Sequence, residues 1–134
     1  MRLSMGLIKA DIMAAEQAIR SFEELGFRDI KNIAAYHLQQ AAEKLIKVQI
    51  YSRCQTVNNS SMYTHNLKKL IDYGDSLGIA LDVPQYIRSK CLIITDWEAG
   101  SRYDVGFSIR INVLKKALHE ISAWYDTVYV TGIR

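Results

Sequence analysis

The sequence predicts an all-α protein, an up-and-down bundle of four long helices plus a shorter one. Apolar residues recur at spacings of three and four along almost the whole chain, as helix faces require. The 134 residues include one proline and seven glycines, too few for the turns that end every strand of an all-β protein. The joints between periodic segments are short, which makes consecutive helices antiparallel neighbours. Hydrophobic residues at 49% and charged residues at 23% are ordinary globular values and exclude a disordered chain. The length suits one domain, taken as residues 1–134.

The first helix is expected from about Ser4 to Leu25, with Leu7, Ile8, Ile12, Ala15, Ile19 and Phe22 on one face. Gly26 stands where a left-handed C-cap belongs, and Asp29 can cap the next helix. That second helix, about Asp29 to Arg53, places Ala34, Ala35, Leu38, Ala41, Ala42, Leu45, Ile46 and Val48 within one arc of roughly 160°. Four of the eight are alanines, so neighbouring helices can approach closely. Tyr36, Gln39, Gln40, Glu43 and Lys47 are assigned to the other, polar side.

Gln55–Tyr63 reads as a polar loop and Thr64 as the N-cap of a third, shorter helix from His65 to Leu77. Leu67, Leu70, Ile71, Gly74 and Leu77 turn inward on it, and Gly78 ends it. Asp82 and Pro84 resemble the entry to a fourth helix, about Gln85 to Asp96 or Trp97. Glu98–Phe107 carries two glycines and is expected to break the pattern. Ser108 then caps a last helix to about Val130, whose inward arc holds Ile111, Val113, Leu114, Ala117, Leu118, Ile121, Trp124, Tyr125 and Val128.

Several chemistries are missing by inspection. Cys54 and Cys91 form no Cys-x-x-Cys pair, and with no signal-peptide pattern a reducing cytoplasmic setting is expected. No apolar run approaches the ~18 residues of a membrane span. No Glu-x-x-His, His-Glu-x-x-His, Walker loop, Gly-x-Gly-x-x-Gly or Gly-x-Ser-x-Gly occurs. The three histidines fall on three different expected helices without ligand spacing, so neither a metal nor another cofactor is expected.

Three local patterns carry a family resemblance. The second helix reads Ala35-Tyr36-His37-Leu38-Gln39-Gln40-Ala41-Ala42-Glu43-Lys44, the third opens Thr64-His65-Asn66-Leu67, and the last break reads Ser101-Arg102-Tyr103-Asp104. In order and spacing this set resembles the HEPN family, the higher eukaryotes and prokaryotes nucleotide-binding domain, over about residues 4 to 130. The resemblance implies a helical bundle that usually forms a homodimer and is often encoded beside a small nucleotidyltransferase. It also implies two activities: nucleotide, RNA or partner binding without catalysis, or metal-independent RNA cleavage in toxin–antitoxin or defence systems.

The ribonuclease relatives resemble one another in an Arg followed by His after four to six intervening residues. That spacing puts both at one end of a helix, the histidine to move a proton and the arginine to stabilise phosphorane charge. This sequence departs from the plan, because no arginine stands five to seven places before His37, His65 or His119. Arg110 and His119 are nine apart, about 180° around a helix, and so face opposite ways.

His37 and Lys44, seven apart, share a helix line that borders the apolar arc, with Gln40 and Lys47 beside it. Either these groups line a groove, or His37 is half-buried between helices and the lysines are solvated. Arg102 can fork a phosphate while Tyr103 stacks on a base; alternatively Arg102 pairs with Asp96, Glu98 or Asp104 and Tyr103 plugs the bundle end. Arg110, in register with Ala117, Ile121 and Val128, needs a phosphate, a carboxylate or water if it is inside the arc. The net charge of +3 resides in the second part of the chain: residues 1–43 have five basic and six acidic side chains, residues 44–134 twelve and eight. The reading is therefore a groove for a nucleotide or RNA phosphate lined by His37, Gln40, Lys44, Arg102, Tyr103 and Arg110. If the chain is catalytic, His37 or His65 is the base and Arg102 or Arg110 steadies the phosphate; a structural dimerisation module without ligand is the third alternative.

Overall fold

Helix α1 (Met5–Leu25) starts where the Ser4 hydroxyl accepts from the Leu7 amide, and stops at Gly26, whose φ of 74° is the left-handed cap conformation. The structure, a computed structural model, describes residues 4–131. Only Gly26 and Phe27 separate α1 from α2 (Arg28–Arg53), so the two fold back along each other as expected. A single turn, α3 (Asn59–Met62), precedes α4 (Leu67–Ser76), α5 (Gln85–Tyr103) and α6 (Ile111–Val130). All elements among the described residues are helical, and the four long helices with α4 as the shorter one are those predicted. No described helix is long and apolar enough to cross a membrane.

Helix α2 is the axis of the bundle, packing against α1, α4, α5 and α6. All eight residues of its predicted apolar arc are buried, and Ala34, Ala35, Ala41 and Ala42 let the neighbouring helices approach without side-chain bulk. Its assumed polar side is a correction. Of those five residues Gln39, Glu43 and Lys47 are buried and Tyr36 and Gln40 half-buried, and Gln49 is buried as well, because a helix with neighbours on four sides has little solvent face left. Gln49 clasps the α4–α5 connection: its side chain donates to the Asp82 carbonyl at 3.0 Å and accepts from the Asp82 amide at 2.7 Å. The Trp124 indole of α6 donates to the same carbonyl, so Trp124 is a core residue with a polar tie.

Other boundaries move for local reasons. The expected loop at Gln55–Tyr63 contains α3, because Asn58 caps it by accepting from the Ser61 amide and Met62 is buried. Asn66, not Thr64, is the N-cap of α4, so His65 lies just outside that helix. The first amide of α4, Leu67, is taken by the Thr95 hydroxyl of α5. Phe27 rather than Asp29 is the N-cap of α2, and Asp29 sits in its first turn, where a carboxylate suits the helix dipole. Leu7, Leu77 and Val113, assigned to inward faces, are exposed at the edges of their arcs.

The expected break at Glu98–Phe107 is the largest correction, since α5 runs through Glu98, Gly100 and Arg102 to Tyr103. Gly100 is a contact glycine rather than a breaker: a Cβ there would stand 2.5 Å from Cδ1 of the Phe107 ring, which folds back over the last turn. Gly100→Ala would gain up to ~1 kcal/mol in helix propensity but force the ring out, for a net loss of about 1 kcal/mol. Chemical denaturation should show that loss in the wild-type background and a gain in a Phe107→Ala background. A gain in both would refute the packing account.

Candidate functional site

The polar side chains of α2 form two neighbouring clusters around buried carboxylates. Asp11 of α1 interrupts an apolar face between Ile8 and Ile12 and is itself buried. One of its oxygens lies 2.8 Å from His37 Nδ1, and the other accepts from Lys44 Nζ at 2.6 Å. Glu43, one turn before Lys47, accepts from Lys47 Nζ at 2.9 Å, from Gln39 Nε2 at 3.1 Å and from His65 Nδ1 at 2.8 Å. His65 Nε2 is 3.5 Å from Glu98, which is also ion-paired with Arg102 one turn later on α5. Gln40 extends the second cluster by donating to Gln39 Oε1 at 2.8 Å.

An ionised carboxylate only accepts, so Nδ1 of both His37 and His65 carries the hydrogen in these contacts. Each ring is thereby fixed with Nε2 as its remaining nitrogen, the arrangement by which a buried acid orients an imidazole base. Lys44 and Lys47 have spent their charge on Asp11 and Glu43, which makes the centre of α2 nearly neutral. Arg102 differs from them. Its side chain is 43% exposed beside a nearly buried Glu98, and its guanidinium lies over the rings of Tyr36 at 5.6 Å and Tyr103 at 4.8 Å.

Two grooves flank this network with α2 as their common wall. The first, of about 570 Å³, lies between the start of α2 and the end of α5, and Arg28, Asn32, Tyr36, His37, Arg102 and Tyr103 contribute to its lining. The second, of about 710 Å³, is bounded by Gln40, Glu43, Lys44, Lys47 and Tyr51 on α2 and by Asn59–His65 across from them. Together they follow one stripe of α2 from Asp29 to Tyr51, about 33 Å at 1.5 Å per residue. The Asn32 Oδ1 in the wall of the first groove is buried without a hydrogen-bond donor.

The chain is matched over residues 9–128 by the family model described as HEPN domain. It belongs to the HEPN domain family. Among curated proteins and among solved structures nothing matches it. A HEPN domain is a helical fold, in line with the six helices, and such domains act in a nucleotide- or RNA-related setting and often dimerise.

Within this HEPN chain, the residues singled out by sequence fall into three places. His37, Arg102 and Tyr103 meet in the first groove, whereas Gln40, Lys44 and His65 lie in the second. Arg102 and Tyr103 form the last turn of α5, not a loop, and Tyr103 is 73% exposed rather than plugging the bundle end. Arg110 lines neither groove: it is the exposed N-cap of α6, so the helical register that turned it inward begins one residue too late. His119 is exposed in a separate shallow cleft with Arg20 and Lys115.

Asp11 and Glu43, which hold His37, Lys44, Lys47 and His65, were not among the sequence-derived candidates, whereas Glu98 was weighed there as one of three partners for Arg102 and is the one it takes. Asp11 carries a readable signal, since an acid in the middle of an apolar stripe needs a buried partner. Tyr36 and Arg28 had none. Among the described residues no group of three or more His, Cys, Asp or Glu is arranged to hold a metal ion.

Proposed function

We propose that this HEPN domain protein binds the phosphate of an RNA or nucleotide in the groove between α2 and α5, with Arg102 as the principal contact. The exposed Arg102 guanidinium, placed over two tyrosine rings beside His37, is the observation that carries the reading. A phosphate oxygen is a better partner for a planar fork than water, and Tyr103 offers a face on which a base can stack. Lys44 and Gln40 are less suited to bind phosphate directly, because Lys44 is only 21% exposed against the buried Asp11 and Gln40 serves Gln39. The 33 Å stripe along α2 favours an RNA strand over a lone nucleotide, since both grooves then contribute. The protein works as a homodimer and with a protein partner such as a small nucleotidyltransferase.

Titration of ATP, GTP and a short single-stranded RNA against wild type and Arg102→Ala tests this. RNA should bind more tightly than either nucleotide, and the substitution should weaken it at least tenfold, about 1.4 kcal/mol. No binding at millimolar ligand, or equal binding by the variant, would remove the groove from consideration.

The second reading, metal-independent RNA cleavage, is favoured by one specific observation: both His37 and His65 are held through Nδ1 by buried carboxylates. Nε2 of one histidine would take the 2′-hydroxyl proton as that oxygen attacks phosphorus, Arg102 would stabilise the phosphorane, and the P–O5′ bond would break as the same histidine returns the proton to the 5′-oxygen, leaving a 2′,3′-cyclic phosphate. Purified protein should then cut RNA in EDTA, and His37→Ala or His65→Ala should slow it by about 10²–10⁴-fold. Intact RNA at high protein concentration would eliminate this reading.

A further inference from the structure

The seam between α5 and α6 is separate from the grooves along α2 and has no part in the RNA-binding reading above. Both helices pack on α2, yet they are not packed along one another. The gap between them is a groove of about 530 Å³. Its floor is Ile94 and Trp97, both almost fully buried, and its walls include Ile93, Ile109 and Val113. Ile93 is 52% exposed there, with the exposed Leu92 beside it. Ile93 and Val113 leave apolar surface open to water on opposite walls above this covered floor, the geometry in which a third helix lays its own apolar stripe.

Charge says what kind of helix. The groove's lining includes Lys90 and Lys116, one on each wall, and no carboxylate. Lys116 reaches over the Tyr86 ring at 5.7 Å and touches Glu120 at 3.5 Å, whereas Lys90 makes no ion pair among the described residues. Burial, and then the Glu120 carboxylate, raise the Tyr86 phenol above its ordinary value, and the lining Tyr86 is uncharged at neutral pH with or without that shift. Every polar group on the walls that carries charge is a cation, and a helix flanked by acids would meet a complementary rim.

We propose that the α5–α6 groove is a docking site for an amphipathic helix of a protein partner, with aliphatic residues facing Ile93 and Val113 and carboxylates facing Lys90 and Lys116. From Tyr86 to Trp97 the wall is about 17 Å long, enough for roughly three turns of the incoming helix. The aliphatic stripe supplies affinity and the two lysines select acidic over basic flanks.

A displayed library of 14-residue amphipathic sequences, sorted against the full chain, tests this without knowing the partner. Enriched sequences should carry Asp or Glu beside their apolar stripe. They should lose at least tenfold in affinity for Ile93→Asp and prefer basic flanks when Lys90→Glu and Lys116→Glu are combined. Ile93 is exposed, so thermal unfolding should confirm that its variant remains folded, and Val113→Asp provides a second probe from the opposite wall. Binders insensitive to both substitutions, binders with neutral or basic flanks, or no enrichment at all would overturn the proposal. So would sedimentation showing a wild-type dimer that Ile93→Asp dissociates, since a second copy would then cover the groove. RNA binding by Ile93→Asp should equal wild type, which keeps this test separate from that of the α2–α5 groove.

Discussion

Glu43→Ala is expected to lower the unfolding free energy by about 3–5 kcal/mol, read from urea denaturation. Glu43 and Lys47 have side chains only 5% and 6% exposed, and the carboxylate also receives Gln39 and His65. Removing it leaves the Lys47 ammonium inside the bundle without its counter-charge, which costs more than the pair itself contributes. The double variant Glu43→Met with Lys47→Met should recover most of the loss, because a buried ion pair replaced by apolar groups of similar volume is often neutral. A loss under about 1 kcal/mol for Glu43→Ala would mean that water reaches Lys47. The rescued double variant then isolates function: its fold is intact, but His65 has lost the acid that fixes its tautomer. RNA cleavage, if present through His65, should stay impaired in it.

The second large effect runs the other way. Glu98→Gln should tighten binding of a short RNA by about tenfold, because Glu98 competes with phosphate for Arg102 and stands near His65. Two opposite charges near 4 Å interact by several kcal/mol at an effective dielectric of about 20, so freeing half-exposed Arg102 shifts affinity well above measurement error. The glutamine keeps the shape of the site and can still accept from Arg102. Equilibrium titration at fixed ionic strength measures this, and the salt dependence should steepen as the freed guanidinium displaces counterions. If affinity instead falls as it does in Arg102→Ala, Glu98 is a positioning residue that aims Arg102 at the ligand. That outcome would keep the groove and reverse the role of the acid.

These two carboxylates show where reading a sequence stops. The apolar arc of α2 was legible because hydrophobic spacing depends on one helix alone. Glu43 and Lys47 sit at the i,i+4 spacing of a surface pair, and nothing local distinguishes a solvated pair from a buried one. Burial came from the neighbours packed around α2, three of which lie far away in sequence. Glu98 was read as the start of a break because Gly100 follows it. A glycine that makes room for Phe107 has the same one-letter appearance as a glycine that ends a helix. Arg110 shows the reverse error, a register extended one residue beyond the start of α6.

His37, Arg102 and Tyr103 were legible as candidates because their local patterns resemble a family that the whole-chain match then established. Their meeting in one groove was not legible, since 65 positions separate His37 from Arg102.

The sequence by itself determined the all-helical class, the order and approximate limits of the long helices, the buried arc of α2 and the left-handed stop at Gly26. All of these follow from interactions within a turn or two of chain. Only the tertiary structure decided that Asp11, Glu43 and Glu98 lie inside and hold His37, Lys44, Lys47, His65 and Arg102. It also separated Arg110 from the grooves and left the α5–α6 seam open. Those outcomes depend on which helix faces which, and the energy of a charge depends on that surrounding more than on its own place in the chain.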